Sequence, residues 1–225
     1  MTKAQRSRDG RPAGVRTLQR GDSGFSLVEL LIVVIVVLVM ASFAIPNVVS
    51  ITRNARNSGD ARSISAGLNL ARMRAAADFT HARLYADLAN NSFHVESWNK
   101  AGGCWQTDGD SNSCTQTTSP VIALDTTDTF GYGSITSGPT AATNAIAQAP
   151  LCTTGVASSA PGATITNTAC IEFNSRSFPV DSTNKVVASD AIYITDNQTF
   201  FSAIAVAISG QPASFKYSGS AWTQF

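Results

Sequence analysis

Charge is what this chain is shortest of. Asp, Glu, Lys and Arg make up 14% of its 225 residues, where about a quarter is usual. So few charges argue against a disordered polyelectrolyte and against a protein that coats nucleic acid with a dense basic surface. Histidine occurs only twice and none of the four cysteines stands in a CxxC spacing, so a zinc site is not expected. No Walker loop, dinucleotide fingerprint, HExxH helix or nucleophile elbow is present, and with them go the common routes to catalysis. Neither enzyme activity nor a cofactor is expected.

The charges that exist are unevenly placed. Residues 1–24 carry six Lys/Arg and two Asp, net +4, and residues 86–225 carry four Lys/Arg against ten Asp/Glu, net −6. The formal balance of +1 hides this split. Between the basic head and the acidic body, Leu30–Ala41 reads LLIVVIVVLVMA without one polar side chain. Its wider bounds, Phe25–Ile45, give 21 residues. As a helix these span about 31 Å, against about 30 Å of bilayer hydrocarbon. The run of β-branched residues at 33–37 lowers helix propensity in water. In lipid the alternative is unpaired amides, so a helix is expected. Lys3, Arg6, Arg8, Arg11, Arg16 and Arg20 precede the run, and only Arg53 and Arg56 follow closely. That asymmetry places the N-terminus in the cytoplasm and the body outside.

One residue in the run is out of place. A carboxylate at Glu29 costs about 2.5–3.5 kcal/mol in a spanning helix and normally has a partner and a task. Its context, Gly24-Phe25-Ser26-Leu27-Val28-Glu29-Leu30, resembles the prepilin motif of type IV pilins and type II secretion pseudopilins. The resemblance implies that a prepilin peptidase cuts between Gly24 and Phe25 and methylates the new amino group of Phe25. It further implies that Glu29 of one subunit meets the Phe25 ammonium of a neighbour, so that two charges costly in lipid neutralise one another only in the assembled stagger. Subunits at the filament tip of that family often lack the acid. Pro46 stands where the family also has a proline, at the outer edge of the span, where the missing N–H permits a kink. Gly21-Asp22-Ser23-Gly24 copies the GDSG of trypsin-like proteases, but it lies in the basic leader with no β-barrel around it.

Beyond Pro46, Ile64, Leu68, Ala71, Ala75, Phe79 and Ala82 recur at spacings of three and four, an amphipathic helix over 47–79. Gly59-Asp60 is expected to loosen it. Arg53, Arg56 and Arg62 read as a solvated, headgroup or inter-subunit face. After residue 80 the period becomes two: Leu84, Ala86 and Leu88, a turn at Asn90-Asn91, then Phe93 and Val95, a β-hairpin. Further strands are expected at 121–124, 130–135, 170–173, 191–195, 199–208 and 214–217, with a long variable loop at 137–169. The fold class is α+β: a long N-terminal helix packed through its C-terminal half on an antiparallel β body at 80–225.

The run Ile171-Glu172-Phe173-Asn174, the segment 203–210 and Ser214-Phe215-Lys216-Tyr217 resemble the GspH/FimT branch of minor pseudopilins and minor pilins. Some members of that branch resemble DNA-uptake receptors with a basic motif after the glycine. Here Gly210-Gln211-Pro212-Ala213-Ser214-Phe215-Lys216 carries one Lys and no Arg, and an acidic body repels phosphates, so nucleic acid is disfavoured.

Cys104, Cys114, Cys152 and Cys170 all follow the span, on the side where disulfides persist. Three pairings are open; the short loops favour 104–114 and 152–170. Asp108, Asp110 and Asn112 have D-x-D-x-N calcium-loop spacing, but Ser113 replaces the expected Gly and no Glu closes the loop, so a solvated turn is the simpler reading. His81 and His94 lack an acid or nucleophile pattern in the sequence and read as strand histidines.

The expectation is a bacterial single-pass inner-membrane subunit with a periplasmic body, which is also able to lie in an extracellular filament. The leader is 1–24, the assembly helix 25–46, and the partners are prepilin peptidase and other pilins or pseudopilins. The rival readings are a DNA-uptake minor pilin, and a Sec-secreted β domain with an adhesive or ligand-binding role, cleaved near Ala41.

Overall fold

The computed structural model describes residues 24–109, 114, 121–139, 146–158, 161–187 and 190–225. One helix, α1 (Leu27–Ala77), runs through Pro46. Among the described residues eleven strands follow: β1 (Ala82–Asp87), β2 (Ser92–Asn99), β3 (Cys104–Thr107), β4 (Ile122–Ala123), β5 (Thr129–Phe130), β6 (Thr168–Phe173), β7 (Pro179–Val180), β8 (Ala191–Thr195), β9 (Phe201–Val206), β10 (Pro212–Tyr217) and β11 (Trp222–Gln224). The chain divides into two compact units at Pro46/Asn47.

In the first unit, no described residue from Gly24 to Pro46 is buried. Its Phe, Leu, Val, Ile and Met side chains are all open to the surroundings. A surface of this kind does not persist in water and needs lipid or other helices around it.

In the second unit, α1 buries Asn57, Ala61, Ile64, Leu68, Ala71 and Ala75, a stripe with steps of three and four. Two antiparallel sheets receive it. One has the order β3-β2-β1-β6-β7, with β4 sharing the outer edge of β2; the other has the order β11-β10-β9-β8-β5. Leu84 and Ala86 of β1, Phe93 and Val95 of β2, Ile171 and Phe173 of β6, Ile192 and Ile194 of β8, and Ile204 and Val206 of β9 form one core with the helix stripe. Register makes this possible: Leu84 stands opposite both Val95 and Ile171, so one face of three strands is apolar. The far face of the second sheet is also apolar. There Tyr193, Ala203, Ala205 and Phe215 are covered by Ile146 and Trp222. The side chain of Gln148 stands in for a missing neighbour strand, donating to Tyr193 O at 2.8 Å and accepting from Tyr193 N–H at 2.9 Å.

Several sequence expectations need correction. Phe79 does not join the buried stripe: the helix ends at Ala77, Phe79 turns left-handed (φ 49°), and its ring is 75% exposed. Thr80 N–H bonds to Ala75 O and Phe79 N–H to Ala76 O, a Schellman termination with Phe where Gly is usual. Gly59-Asp60 does not interrupt the helix, and the Asp60 side chain accepts from the Asp125 N–H at 2.8 Å. The strand expected at 130–135 stops at Phe130, since Gly131 and Gly133 adopt φ of 154° and 54°. The 137–169 loop is less irregular than expected: Thr153 bridges Thr164, and β6 already begins at Thr168. β3, β7 and β11 have no counterpart in the sequence reading.

Helix and sheet approach closely at Gly67. A Cβ there would meet Leu84 Cδ1 at 2.8 Å and the Phe93 ring at 3.3 Å. Leu84 and Phe93 are themselves buried, so neither can swing aside into solvent. Overpacking costs about 1–3 kcal/mol, offset by about 1 kcal/mol of helix propensity. Gly67→Ala is therefore expected to lower stability by about 1 kcal/mol net, read by thermal melting; a rise in Tm would show that the core yields.

Candidate functional site

The motif residues sit together at the head of α1. Leu30 N–H donates to Ser26 O at 3.1 Å, so helical bonding starts at once after the Gly24-Phe25 junction. Gly24 has no atom within 4 Å of where a Cβ would stand, and Phe25 is 82% exposed. An exposed, non-helical peptide bond preceding a regular helix is what a protease can reach. Glu29 lies in the first turn, where the unsatisfied N–H groups favour a carboxylate. Pro46 lies 17 residues on, about 25 Å along the axis. It removes one backbone donor at the junction of the two units.

The other expected site residues are distributed over the body. Cys104–Cys114 and Cys152–Cys170 are disulfides, with Cα separations of 5.7 and 5.0 Å. The first closes the β3 edge, and the second ties the segment before β6 to β6 itself. Asp108, the first of the three calcium-loop candidates, is ion-paired with Arg74 at 2.7 Å. Asp110 and Asn112 lie outside the described residues. Among the described residues, no group of three His, Cys, Asp or Glu side chains is placed to hold a metal.

The body also holds a row of buried charges. On the far face of the first sheet, register puts Arg83 opposite Glu96 on one side and Glu172 on the other. Arg83 Nε donates to Glu96 Oε2 at 2.6 Å, and Nη1 donates to Thr153 O at 2.6 Å. The guanidinium lies 4.0 Å from the Trp105 ring centroid. Arg83 is 1% exposed and Glu96 fully buried. Both histidines belong to this row, correcting the expectation of no acid beside them. His94 Nε2 is 3.1 Å from Glu96 Oε1, and His81 Nδ1 is 2.7 Å from Glu172 Oε1. Burial lowers the pKa of Arg83, against the pull of Glu96. Burial pushes Glu96 up, but the His94 hydrogen bond and the Arg83 charge prevail and hold it below the ordinary carboxylate range. The segment 152–157 covers the row: Trp105 Nε1 donates to Gly155 O at 2.9 Å, and Ala157 N–H to Glu172 Oε1 at 2.9 Å. The period-two placement of Arg83, Tyr85 and Asp87 shows they share a face; nothing in it shows that the face is roofed.

Arg53, Arg56 and Arg62 are exposed or half-exposed, but each has a protein contact. Arg53 reaches Gln198, Arg56 pairs with Asp125 at 3.2 Å, and Arg62 lies 6.0 Å from the Phe225 ring.

A family model for the prokaryotic N-terminal methylation motif matches residues 19–45. Neither a curated protein nor a solved structure matches the chain. The matched segment contains the Gly24-Phe25 junction, Glu29 and the whole apolar run, and its helix continues onto antiparallel sheets. The chain thus carries a prokaryotic N-terminal methylation motif at the head of a long apolar helix, and its α+β architecture is pilin-like.

Proposed function

We propose that the chain is a minor pseudopilin or minor pilin of the GspH/FimT type, made as a prepilin in the bacterial inner membrane. Prepilin peptidase removes 1–24 and methylates Phe25. The helix 25–46 then supplies assembly with other pilins or pseudopilins, and the periplasmic body presents a surface to neighbours or cargo. The observation that carries this reading is the combination of Glu29 in the first helical turn with a following apolar stretch that has no buried residue up to Pro46. Isolated, that arrangement is costly twice, once for the carboxylate and once for the bare apolar surface. Packed among like helices, both costs are met.

The C-terminal half supports the branch assignment by pattern alone: Glu172 within β6, and Gly210 at φ 81° turning β9 into β10. Mass spectrometry of the mature N-terminus tests the proposal. The expected species begins at N-methyl-Phe25; a chain beginning near Ser42 would instead be a secreted β domain.

A further inference from the structure

We propose that Asp60 and Asp128 form a proton-operated latch, closed in acid and loosened in base, that holds the crossing between the two sheets against α1. The crossing is residues 124–128, between β4 of the first sheet and β5 of the second. Leu124 packs into the core with the helix stripe, and polar contacts complete the attachment. Asp125 N–H donates to Asp60 Oδ2 at 2.8 Å, Arg56 Nη1 reaches Asp125 Oδ1 at 3.2 Å, and Asn57 Nδ2 donates to Asp128 Oδ2 at 3.2 Å. Asn57 is held on its other side as well, since its Oδ1 accepts from Ser202 of β9 at 2.6 Å.

This leaves Asp128 Oδ1 buried without a donor, with the Asp60 carboxyl as its neighbour. Two ionised carboxylates are acceptors only and repel; one shared proton turns the same contact into a hydrogen bond. Among the described residues no nearby cation relieves the pair. Arg56 is taken by Asp125, Arg53 reaches Gln198 and acts on Asp196, and Lys216 reaches Asn54. Among the described residues none of these cations is paired with Asp60 or Asp128. Asp128 is 2% exposed, so water does not screen the repulsion well.

Burial first, and then the charge of Asp60, push the carboxyl of Asp128 up to about 7. Burial likewise raises Asp60. Both folded values lie above those of the unfolded chain, so this pair favours the fold below about pH 4. The contribution is lost as pH rises through about 7. None of this depends on the filament reading, because the latch lies wholly within the body.

The test uses the full-length protein in detergent micelles with a chelator present, so that protons are the only variable. Amide exchange of 124–130 is followed by mass spectrometry at pH 5.5 and 8.5, corrected for the intrinsic pH dependence of exchange. The expected result is protection at least about fivefold higher at pH 5.5, a difference of about 1 kcal/mol or more in opening free energy at 298 K. Asp128→Asn should abolish the difference, since its amide can donate to Asp60 at every pH; Asp60→Asn should shrink it, since burial still raises Asp128 once the Asp60 charge is gone. Equal protection in the parent at both pH values overturns the latch. So does a pH response that survives in both variants. Local exchange decides the matter rather than Tm, because Asp190, raised by burial and by Asp181 to about 6, shifts global stability in the same direction.

Discussion

Glu29→Leu is expected to leave cleavage after Gly24 and membrane insertion intact while lowering recovery of the processed chain in filaments by about a hundredfold. The Gly24-Phe25 junction lies outside the helix, which begins at Leu27. Replacing a carboxylate by leucine also removes an insertion cost of about 2.5–3.5 kcal/mol, so anchoring is eased rather than impaired. Assembly is different. In the proposed stack the Phe25 ammonium of one subunit is buried beside Glu29 of the next. Without the acid, that ammonium sits unpaired in the helix bundle at a cost of the same order, about 3 kcal/mol, or two powers of ten in the association constant. Glu29→Gln should fail nearly as fully, because an amide keeps the shape but not the charge. The measurement is the ratio of N-methylated chain in purified filaments to that in membranes. Equal ratios for parent and Leu variant would remove Glu29 from assembly altogether.

How far the sequence anticipates the structure depends on the range of the interaction. The helix head is legible because its determinants are local: Gly24, Phe25 and Glu29 lie within six residues, and the apolar run needs no tertiary partner to be recognised. The hairpin of β1 and β2 is legible for the same reason, since Asn90-Asn91 marks the turn and the alternation of Leu84, Ala86, Phe93 and Val95 fixes the faces. Strands of two to four residues are not. β7 is Pro179–Val180 and exists because β6 offers an edge; β11 is drawn in by Lys216 and Tyr217. Phe79 shows local pattern being overruled: its spacing continues the helical stripe, yet the chain turns at Asp78 and exposes it.

The buried charges are illegible for a stronger reason. Arg83, Glu96 and Glu172 come from three strands and are roofed by a segment some 70 residues from Arg83 in sequence. Polar residues alternating with apolar ones ordinarily mean one wet face. Asp60 and Asp128 are likewise 68 residues apart, and neither position signals that the other will be its neighbour.

The Arg83 row makes the largest stability prediction. Arg83→Ala is expected to destabilise the body by about 3–5 kcal/mol, because it takes the guanidinium away from the fully buried Glu96 carboxylate. It also removes the donor to Thr153 O and the contact with Trp105. For a body of this size that corresponds to a fall in Tm of about 6–20 °C. The same reasoning predicts that the ion pair is not in itself worth that much. Arg83→Met combined with Glu96→Leu removes both charges and both desolvation costs, and should recover most of the loss. His94, which then loses Glu96, is 15% exposed at its side chain and can turn to water. Melting of the two single variants and the double gives the coupling energy directly. The sign with pH is also fixed. Glu96 is held below its ordinary range, so the stabilisation from the pair is complete at neutral pH and is lost as pH falls through that lowered value. This is opposite to the direction expected for Asp128, so the body should be most stable in mild acid, between the two titrations. A double variant as unstable as the sum of its singles would mean that the row holds its shape through the hydrogen bond to Thr153, with the charge of Glu96 contributing little.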